Sequence, residues 1–310
     1  MSLSRAALAG LARSWCCWQR RVHPAESDPG EVTGTPTDTV SSSATTSTSP
    51  SPSPSPTPPP SPSPSPTPTI KPTDLMPGTN HNYAAEAYSY PAATVQDWLR
   101  GNAEATEKIV FLTFDDGPNH SITPQVLEVL AAHHVPATFF VVGNVIDGAP
   151  DVLERHIAEG HAIALHSYTH DYKKLYPGRY ADAERVGDEF DRTLAEVRSA
   201  LNEDFSTGAW RYPGGHMSWK SMDAADEALA ERGASWIDWN CMTGDAEPKS
   251  RRPTTVNGMV SMATAPIGEE GVNVSVMLAH DSEGKQLTVD SLPEIIEAYK
   301  SAGYSFGVIA

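Results

Sequence analysis

The feature that most restricts what this chain can fold into is a segment made almost entirely of Ser, Thr and Pro. Between Thr39 and Thr69 the only other residues are Val40 and Ala44, and 15 of the 27 prolines lie in the first 75 residues. Such a segment has too little apolar surface to offset the entropy cost of ordering, about 1–2 kcal/mol per residue. We therefore predict a disordered linker over residues 23–75. The Ser-Pro and Thr-Pro alternation of residues 50–69 favours a polyproline II spacer about 60 Å long.

The rest of the chain is long enough for one folded domain. Residues 76–310 can bury one sizeable core. Five basic and five acidic residues cancel within the first 75, so the formal net charge of −17 belongs to the folded part. A domain this acidic repels phosphate backbones, which excludes nucleic acid as the expected partner. Cys241 is the one cysteine of residues 76–310, so a disulfide scaffold is excluded as well.

Residues 1–22 have some features of a signal or anchor segment. They are basic, but their apolar run from Ala6 to Ala12 ends at Arg13 and is at the lower limit for a secretory core. No stretch reaches the roughly 20 apolar residues that span a bilayer, so no lipid-embedded partner is expected. Because a Ser/Thr/Pro linker suits an enzyme held off a surface, we expect an extracellular protein associated with a bacterial cell surface or wall. A cytosolic protein with a disordered tail is the alternative.

Residues 107–310 alternate short apolar runs with amphipathic stretches. The apolar runs predict seven buried strands, at residues 109–114, 137–142, 162–165, 209–212, 235–240, 274–278 and 304–309. The stretches between them predict helices at residues 123–134, 149–159, 180–201, 219–232, 253–263 and 289–301. This alternation predicts an α/β fold whose parallel sheet closes or nearly closes into a barrel. Residues 76–106 are predicted to be an N-terminal extension packed on this domain.

Side chains that can bind metal follow the first and third predicted strands. Asp115 and Asp116 precede a Gly-Pro turn that can aim both carboxylates into the barrel mouth, although a helix-capping turn is the structural alternative. His166 and His170 are four residues apart, which predicts two imidazoles on one face of a helical turn. Two His and one Asp make a metal site with open positions for water and substrate.

Further polar groups follow the later strands. Arg211 precedes a Pro-Gly-Gly turn, which lets a backbone N–H approach a substrate oxygen closely but is also explained by ordinary turn chemistry. Asp245 follows the fifth predicted strand and His280 the sixth. A single His after an apolar run is usually a core residue. Polar clusters at four strand ends are nevertheless hard to obtain from packing alone, so they indicate an active site.

In order and spacing, these motifs resemble those of the polysaccharide deacetylases, the NodB-homology enzymes of carbohydrate esterase family 4. The resemblance covers residues 107–310, and its motifs are residues 113–117, 166–170 and 211–215, Asp245, and residues 278–280. The stretches around Trp239-Asn240 and residues 292–296 are most similar to bacterial peptidoglycan N-acetylglucosamine deacetylases. The resemblance implies a distorted (β/α)7 barrel of the NodB type.

The resemblance also implies a metal centre and a general base. Asp116, His166 and His170 are expected to hold one divalent metal ion, normally zinc, with cobalt, manganese and nickel as alternatives. Asp115 is expected to take a proton from metal-bound water. Arg211 is expected to pair with Asp115 and to keep it ionised.

The remaining implied roles concern the oxyanion, the leaving group and the acetyl pocket. The Tyr212 N–H is expected to stabilise the oxyanion, and His280, oriented by Asp245, to protonate the departing amine. Leu278 is expected to line the pocket for the acetyl methyl group. The family often has Trp after this Asp, whereas Ala246 stands here. Two alternatives follow: Trp239 or Trp219 replaces that pocket wall, or the pocket is wider.

The implied activity is hydrolysis of a carbon–nitrogen bond other than a peptide bond, namely N-deacetylation of peptidoglycan N-acetylglucosamine. The substrate partner is then an acetylated glycan polymer, and the enzyme is expected to be a monomer. Deacetylation of chitin or chitooligosaccharides and of acetylxylan are the alternatives, because the same groups serve amides and esters. A non-catalytic glycan-binding protein of the cell surface is a more distant alternative, since it requires a broken site.

Overall fold

The computed structural model describes residues 69–310, in which short parallel strands alternate with helices. The strands are Ser89–Tyr90 (β1), Ile109–Asp115 (β2), Thr138–Val141 (β3), Ala162–Leu165 (β4), Ala209–Trp210 (β5), Ser235–Trp236 (β6), Cys241–Met242 (β7), Val274–His280 (β8), Ser305–Phe306 (β9) and Val308–Ile309 (β10). The main sheet has the order β6-β5-β4-β3-β2-β8-β7, with β9 pairing with the start of β2. The two edge strands, β6 and β7, are consecutive in the sequence. Residues 237–240 connect them and so link the two edges of the curled sheet. This confirms the predicted α/β fold of the distorted-barrel type.

Two predicted strands differ from the observed ones. The prediction of a strand at 235–240 is wrong beyond Trp236, because residues 237–240 leave the sheet and the Asn240 side chain replaces part of the backbone ladder before β7 begins at Cys241. Its amide donates to Val274 O at 2.7 Å, and its Oδ1 accepts from Val276 N at 2.8 Å. The last predicted strand is divided at Gly307, where a Cβ would lie 2.8 Å from the rings of Tyr90 and Phe111.

The described part has eight α-helices, of which the first packs at one end of the barrel against an apolar cluster inside it. They are Ala92–Arg100 (α1), Thr123–His133 (α2), Pro150–Ala158 (α3), Tyr172–Leu175 (α4), Ala183–Ala200 (α5), Asp223–Ala230 (α6), Val256–Ala263 (α7) and Gln286–Ser301 (α8). Helix α5 begins three residues later than predicted, because the Asp182 carboxylate accepts from Arg185 N at 3.0 Å and caps it. No helix in residues 69–310 combines the length and apolar character needed to cross a bilayer.

Strand β2 is buried on both faces and directs the first acidic residue of the site. Val110 and Leu112 belong to the apolar cluster under the helices, whereas Ile109 and Phe111 belong to a second cluster inside the barrel. Burial of both faces is usual in parallel sheets. Because side chains alternate along a strand, Asp115 lies on the same inner face as Phe111, at the carboxyl end of the barrel.

The N-terminal extension packs at the other end of the barrel. Ala92 and Val95 of α1 share the inner cluster with Ile109 and Val274, the first residues of β2 and β8. The Asn80 side chain donates to Ile163 O at 3.0 Å and to Ile309 O at 2.9 Å. The predicted signal or anchor segment at 1–22 and the linker up to residue 68 lie outside the described residues.

Candidate active site

Groups from four strand ends meet at the carboxyl edge of the sheet. Asp115 ends β2, His166 follows β4, Arg211 follows β5 and His280 ends β8. Asp115 and His280 are register partners in the β2–β8 pair, so they lie one strand spacing apart, about 4.8 Å. His166 Nε2 lies 3.6 Å from Asp115 Oδ2. The predicted cluster is therefore assembled as the strand order requires.

Asp115 is held by a buried arginine. Arg211 is fully buried, and its Nη1 donates to Asp115 Oδ1 at 2.7 Å and to Thr113 Oγ1 at 2.8 Å. Its Nε donates to Ile237 O at 2.9 Å, and its guanidinium lies over the Phe140 ring at 4.0 Å. Burial raises the pKa of Asp115 above the usual range, and this outweighs the opposing effect of Arg211. A carboxylate with a raised pKa is a stronger base than a solvated one.

Asp116, His166 and His170 form a cluster that suits one divalent metal ion. Asp116 Oδ1 lies 3.5 Å from His170 Nε2 and 3.8 Å from His166 Nε2, and the three ligand atoms lie within 4.8 Å of one another. Asp116 Oδ1 is enclosed and has no hydrogen-bond donor among the described residues, which is uncommon for a buried carboxylate oxygen unless a cation satisfies it. One carboxylate and two imidazoles are a usual ligand set for zinc. The residues present therefore fit the expected metal.

His166 is oriented as a metal ligand. Its Nδ1 is 2.8 Å from Arg211 O, which leaves Nε2 directed at Asp116. Burial, followed by the nearby His170, lowers the pKa of His166 well below its usual value. The imidazole is therefore neutral at physiological pH, and neutral imidazole is the form that binds metal.

The segment that carries His170 is a loop rather than the predicted helical turn. Ser167 and His170 have positive φ values of 70° and 53°, which a helix does not allow. The fully buried Glu189 of α5 holds this loop, since its Oε2 accepts from Tyr168 N and Thr169 N, both at 3.0 Å. Glu189 was not found from the sequence, because a Glu inside an amphipathic helix has no local pattern that marks it as buried.

His280 is paired with Asp245 as the resemblance implies. His280 Nδ1 is 2.8 Å from Asp245 Oδ1, and Asp245 Oδ2 accepts from His280 N at 2.9 Å and from Thr288 Oγ1 at 2.8 Å. Burial alone would lower the pKa of His280, but the Asp245 carboxylate outweighs it and raises the pKa to about 9. The pKa of Asp245 is lowered, since His280 and Lys285 outweigh its burial. His280 is thus a protonated acid at neutral pH.

The predicted oxyanion and pocket residues lie around this centre. The Tyr212 N–H has no acceptor within residues 69–310, so it is free to donate to a substrate oxygen. Leu278 is buried two residues before His280 on the same face of β8. Trp239 lies in the segment between β6 and β7, 5.7 Å from the Arg211 guanidinium carbon, and touches the turn after Tyr212, where a Cβ on Gly215 would lie 2.8 Å from its ring.

A network under the Pro-Gly-Gly turn was also not found from the sequence. Asp226 of α6 accepts from Tyr212 Oη at 2.9 Å and lies 2.9 Å from His216 Nε2. His216 N donates to Asp238 Oδ1 at 2.9 Å, and the His216 ring stacks on Trp236 at 3.9 Å. These contacts fix both ends of the turn that presents the Tyr212 N–H.

The Asp281 carboxyl explains why the first motif has a glycine at position 117. Its carboxyl is fully buried directly against Gly117, where any Cβ would overlap it, and it accepts from Thr123 Oγ1. Burial raises the pKa of Asp281 to about 7. A residue larger than Gly at position 117 would therefore displace this carboxyl or the turn after Asp116.

Comparison with known proteins gives consistent matches to this arrangement. A polysaccharide deacetylase family model matches residues 102–231. A chitooligosaccharide deacetylase of Bradyrhizobium sp. (strain ANU 289) is 50% identical over 208 residues, which are 63% of this chain and 86% of that protein. The peptidoglycan-N-acetylglucosamine deacetylase of Listeria monocytogenes is 26% identical over 77% of this chain and 44% of its own length. The chain spans under half the length of some curated relatives that it matches.

Solved structures agree with the fold. A family 4 carbohydrate esterase of Streptococcus mutans superimposes with a TM-score of 0.74 at 45% sequence identity, covering 78% of this chain and 100% of that chain. Sequence and structure therefore point to one family.

Proposed function

Because the chain belongs to the polysaccharide deacetylases, hydrolases of carbohydrate esterase family 4 that act on the amide bonds of acetylated sugars, we propose that it removes acetyl groups from peptidoglycan N-acetylglucosamine in a metal-dependent reaction. One observation carries the mechanism. A buried base, a three-ligand cluster and a protonated acid lie together at the carboxyl end of one sheet.

Asp116, His166 and His170 are the residues that would hold the metal, with zinc as the expected ion. A divalent ion bound there supplies charge stabilisation for the carbonyl oxygen and lowers the pKa of water. Asp115 accepts a proton from the attacking water through Oδ2, since Arg211 occupies Oδ1 at 2.7 Å. The raised pKa of Asp115 makes it an effective acceptor.

The leaving group is an amine, which is a poor leaving group until it is protonated. His280 presents Nε2 for this proton transfer, because Nδ1 is engaged by Asp245 at 2.8 Å. With a pKa raised to about 9, His280 stays protonated at neutral pH and can act as the acid. The Tyr212 N–H donates to the oxyanion formed from the acetyl carbonyl.

The choice of glycan is the finer part of the proposal. The Listeria relative supports peptidoglycan, and the Ser/Thr/Pro linker fits an extracellular enzyme that acts on the cell wall. The second candidate, chitooligosaccharide deacetylation, is favoured by the 50% identity to the Bradyrhizobium relative.

Acetate release from a panel of glycans tests this choice. The panel contains peptidoglycan glycan strands, N-acetylglucosamine oligomers and acetylxylan at matched acetyl concentration, with the His280→Ala variant as the control for chemical hydrolysis. We expect the highest kcat/KM on peptidoglycan strands. A higher kcat/KM on N-acetylglucosamine oligomers would assign the chain to chitooligosaccharides, and release from none of them would overturn the proposed function.

A further inference from the structure

A surface next to the metal cluster combines exposed cations with aromatic rings. It consists of Lys173, Arg179 and Lys220 together with Tyr172, Tyr180 and Trp219, and is called the basic strip below. All three cations are exposed, and so is Tyr180, at 51% of its surface. Such a grouping is unexpected in a domain whose formal charge is strongly negative.

The basic strip is continuous with the metal cluster. The His170 and Tyr172 rings are 5.2 Å apart, and the Tyr172 and Trp219 rings are 5.4 Å apart. Trp219 Nε1 donates to Pro213 O at 2.8 Å, in the turn that presents the Tyr212 N–H. A glycan whose acetyl group reaches the metal cluster can therefore place its neighbouring sugar over these rings.

The cations of the basic strip lack acidic partners. Within residues 69–310, no carboxylate lies within ion-pair distance of Lys173, Arg179 or Lys220, whereas the adjacent Lys174 is 3.4 Å from Asp171. Arg179 Nη2 donates to a carbonyl, Ser218 O, at 2.7 Å, and Lys220 Nζ lies 5.5 Å from the centre of the Tyr180 ring. Their positive charge is therefore available to an anion from outside the chain.

Backbone hydrogen bonds hold the two segments of the basic strip together. Lys220 N donates to Arg179 O at 2.9 Å, and Ala181 N donates to Lys220 O at 2.9 Å. The ring of Trp219 also stacks on the buried Tyr176 at 4.0 Å with an interplanar angle of 12°. The backbones of Arg179 and Lys220 are thus held in one arrangement rather than in independent loops, which lowers the entropy cost of ordering them on binding.

We propose that the basic strip binds a carboxylate-bearing sugar unit next to the acetylated sugar, so that the enzyme prefers anionic glycan over neutral glycan. This inference rests on the proposed function, because it assumes that a glycan occupies the metal cluster. The rings of Trp219 and Tyr180 offer apolar faces to a pyranose ring, and the cations select its carboxylate. Neutral chitin and xylan chains gain only the ring contacts.

The test measures binding separately from turnover. The full chain loaded with zinc is titrated calorimetrically with a peptidoglycan tetrasaccharide that lacks the stem peptide and therefore carries free carboxylates on its sugars, with the same tetrasaccharide after amidation of those carboxylates, and with the N-acetylglucosamine tetramer. We expect the anionic tetrasaccharide to bind roughly tenfold more tightly than its amidated form, with a preference that shrinks between about 0.02 and 0.3 M salt.

Charge reversal in the basic strip is the second arm. The double variant Lys173→Glu with Lys220→Glu should remove the preference for the anionic ligand. The matched control is Lys108→Glu with Lys300→Glu, which changes the net charge equally at residues outside the basic strip and should keep both the preference and the activity. Equal affinity of the wild type for the anionic and amidated tetrasaccharides, or an equal effect of the two double variants, would overturn the inference. Acetate release from peptidoglycan strands, measured separately, decides the proposed function, which would stand if that release is intact.

Discussion

At the scale of single residues, the proposed mechanism depends on opposite environments for two ionisable groups. Burial raises the pKa of Asp115, which suits the proposed base, whereas the Asp245 carboxylate raises the pKa of His280 to about 9, which suits the proposed acid. Asp115 and His280 are register partners on neighbouring strands. The pH range between their pKa values is the range in which both groups are in the required protonation state.

The acid role predicts a shift in the pH profile of the Asp245→Asn variant. His280 must be protonated, so the wild-type rate should fall as pH rises through about 9. Without the carboxylate, burial is no longer outweighed and the pKa of His280 drops to its usual value of about 6.5 or lower, which costs about thirtyfold or more in rate at pH 8. The measurement is kcat/KM against pH on N-acetylglucosamine oligomers. Thr288→Val, which keeps the carboxylate, is the control, and an unmoved alkaline limb in Asp245→Asn would exclude this role.

The ligand assignment predicts a loss of metal affinity in His166→Ala. Removing one of three protein ligands should raise the zinc Kd by more than about 100-fold. Loss of a residue that only hydrogen-bonds to a metal ligand already weakens metal affinity by about 10–100-fold. Competition with a chelating dye measures this Kd. His120→Ala, an exposed His paired with Asp151 at 3.6 Å, is the matched control and should bind zinc as the wild type does. Unchanged affinity in His166→Ala would remove it from the ligand set.

At the scale of elements, helix α5 positions the metal-binding loop through Glu189. Glu189→Ala leaves the Tyr168 and Thr169 donors without an acceptor, each at a cost of about 1–3 kcal/mol where they are buried. We expect a lower free energy of unfolding and a zinc affinity weaker by about 10–100-fold. Glu189→Gln keeps an oxygen acceptor and should recover most of both. Glu184→Ala, exposed on the same helix, is the control for helix effects, and normal zinc affinity in Glu189→Ala would contradict the positioning role.

Individual elements also show which parts of the structure can be predicted from sequence patterns. Asp115, Arg211 and His280 could be predicted to lie together because each directly follows a short apolar run, and parallel strands bring such ends to one edge of the sheet. Asn240 and Glu189 were missed because their partners lie in other elements, at Val274 and Tyr168. The i, i+4 spacing of the two His ligands predicted a helix, whereas contacts from α5 fix a loop there.

At the scale of the whole molecule, we expect the predicted linker and the folded domain to have separate tasks. The predicted polyproline II spacer of about 60 Å would let a small domain reach into a cell wall. Deleting residues 50–69 should leave acetate release from soluble oligosaccharides intact and reduce deacetylation of the wall in cells. A flexible Gly/Ser segment of equal length, spanning roughly 25 Å, should restore wall modification only in part. Equal loss of both activities on deletion would mean that the segment belongs to the folded domain.

Charge is distributed unevenly over the folded domain. The folded domain is acidic overall, while the basic strip contains three cations that have no carboxylate partner within residues 69–310. A local field of opposite sign next to an active site attracts a substrate that the rest of the surface would repel. The net charge alone therefore predicts repulsion of anionic polymers, whereas the basic strip is proposed to attract a carboxylate-bearing one.

The central claim is that a metal held by Asp116, His166 and His170 is required for deacetylation. Acetate release from N-acetylglucosamine oligomers by the full chain tests it most directly, measured before chelation, after chelation with metal content determined, and after zinc is added back. We predict that release falls to below about 1% of its initial rate after chelation and returns with zinc. Undiminished release from protein shown to be free of metal would contradict the account.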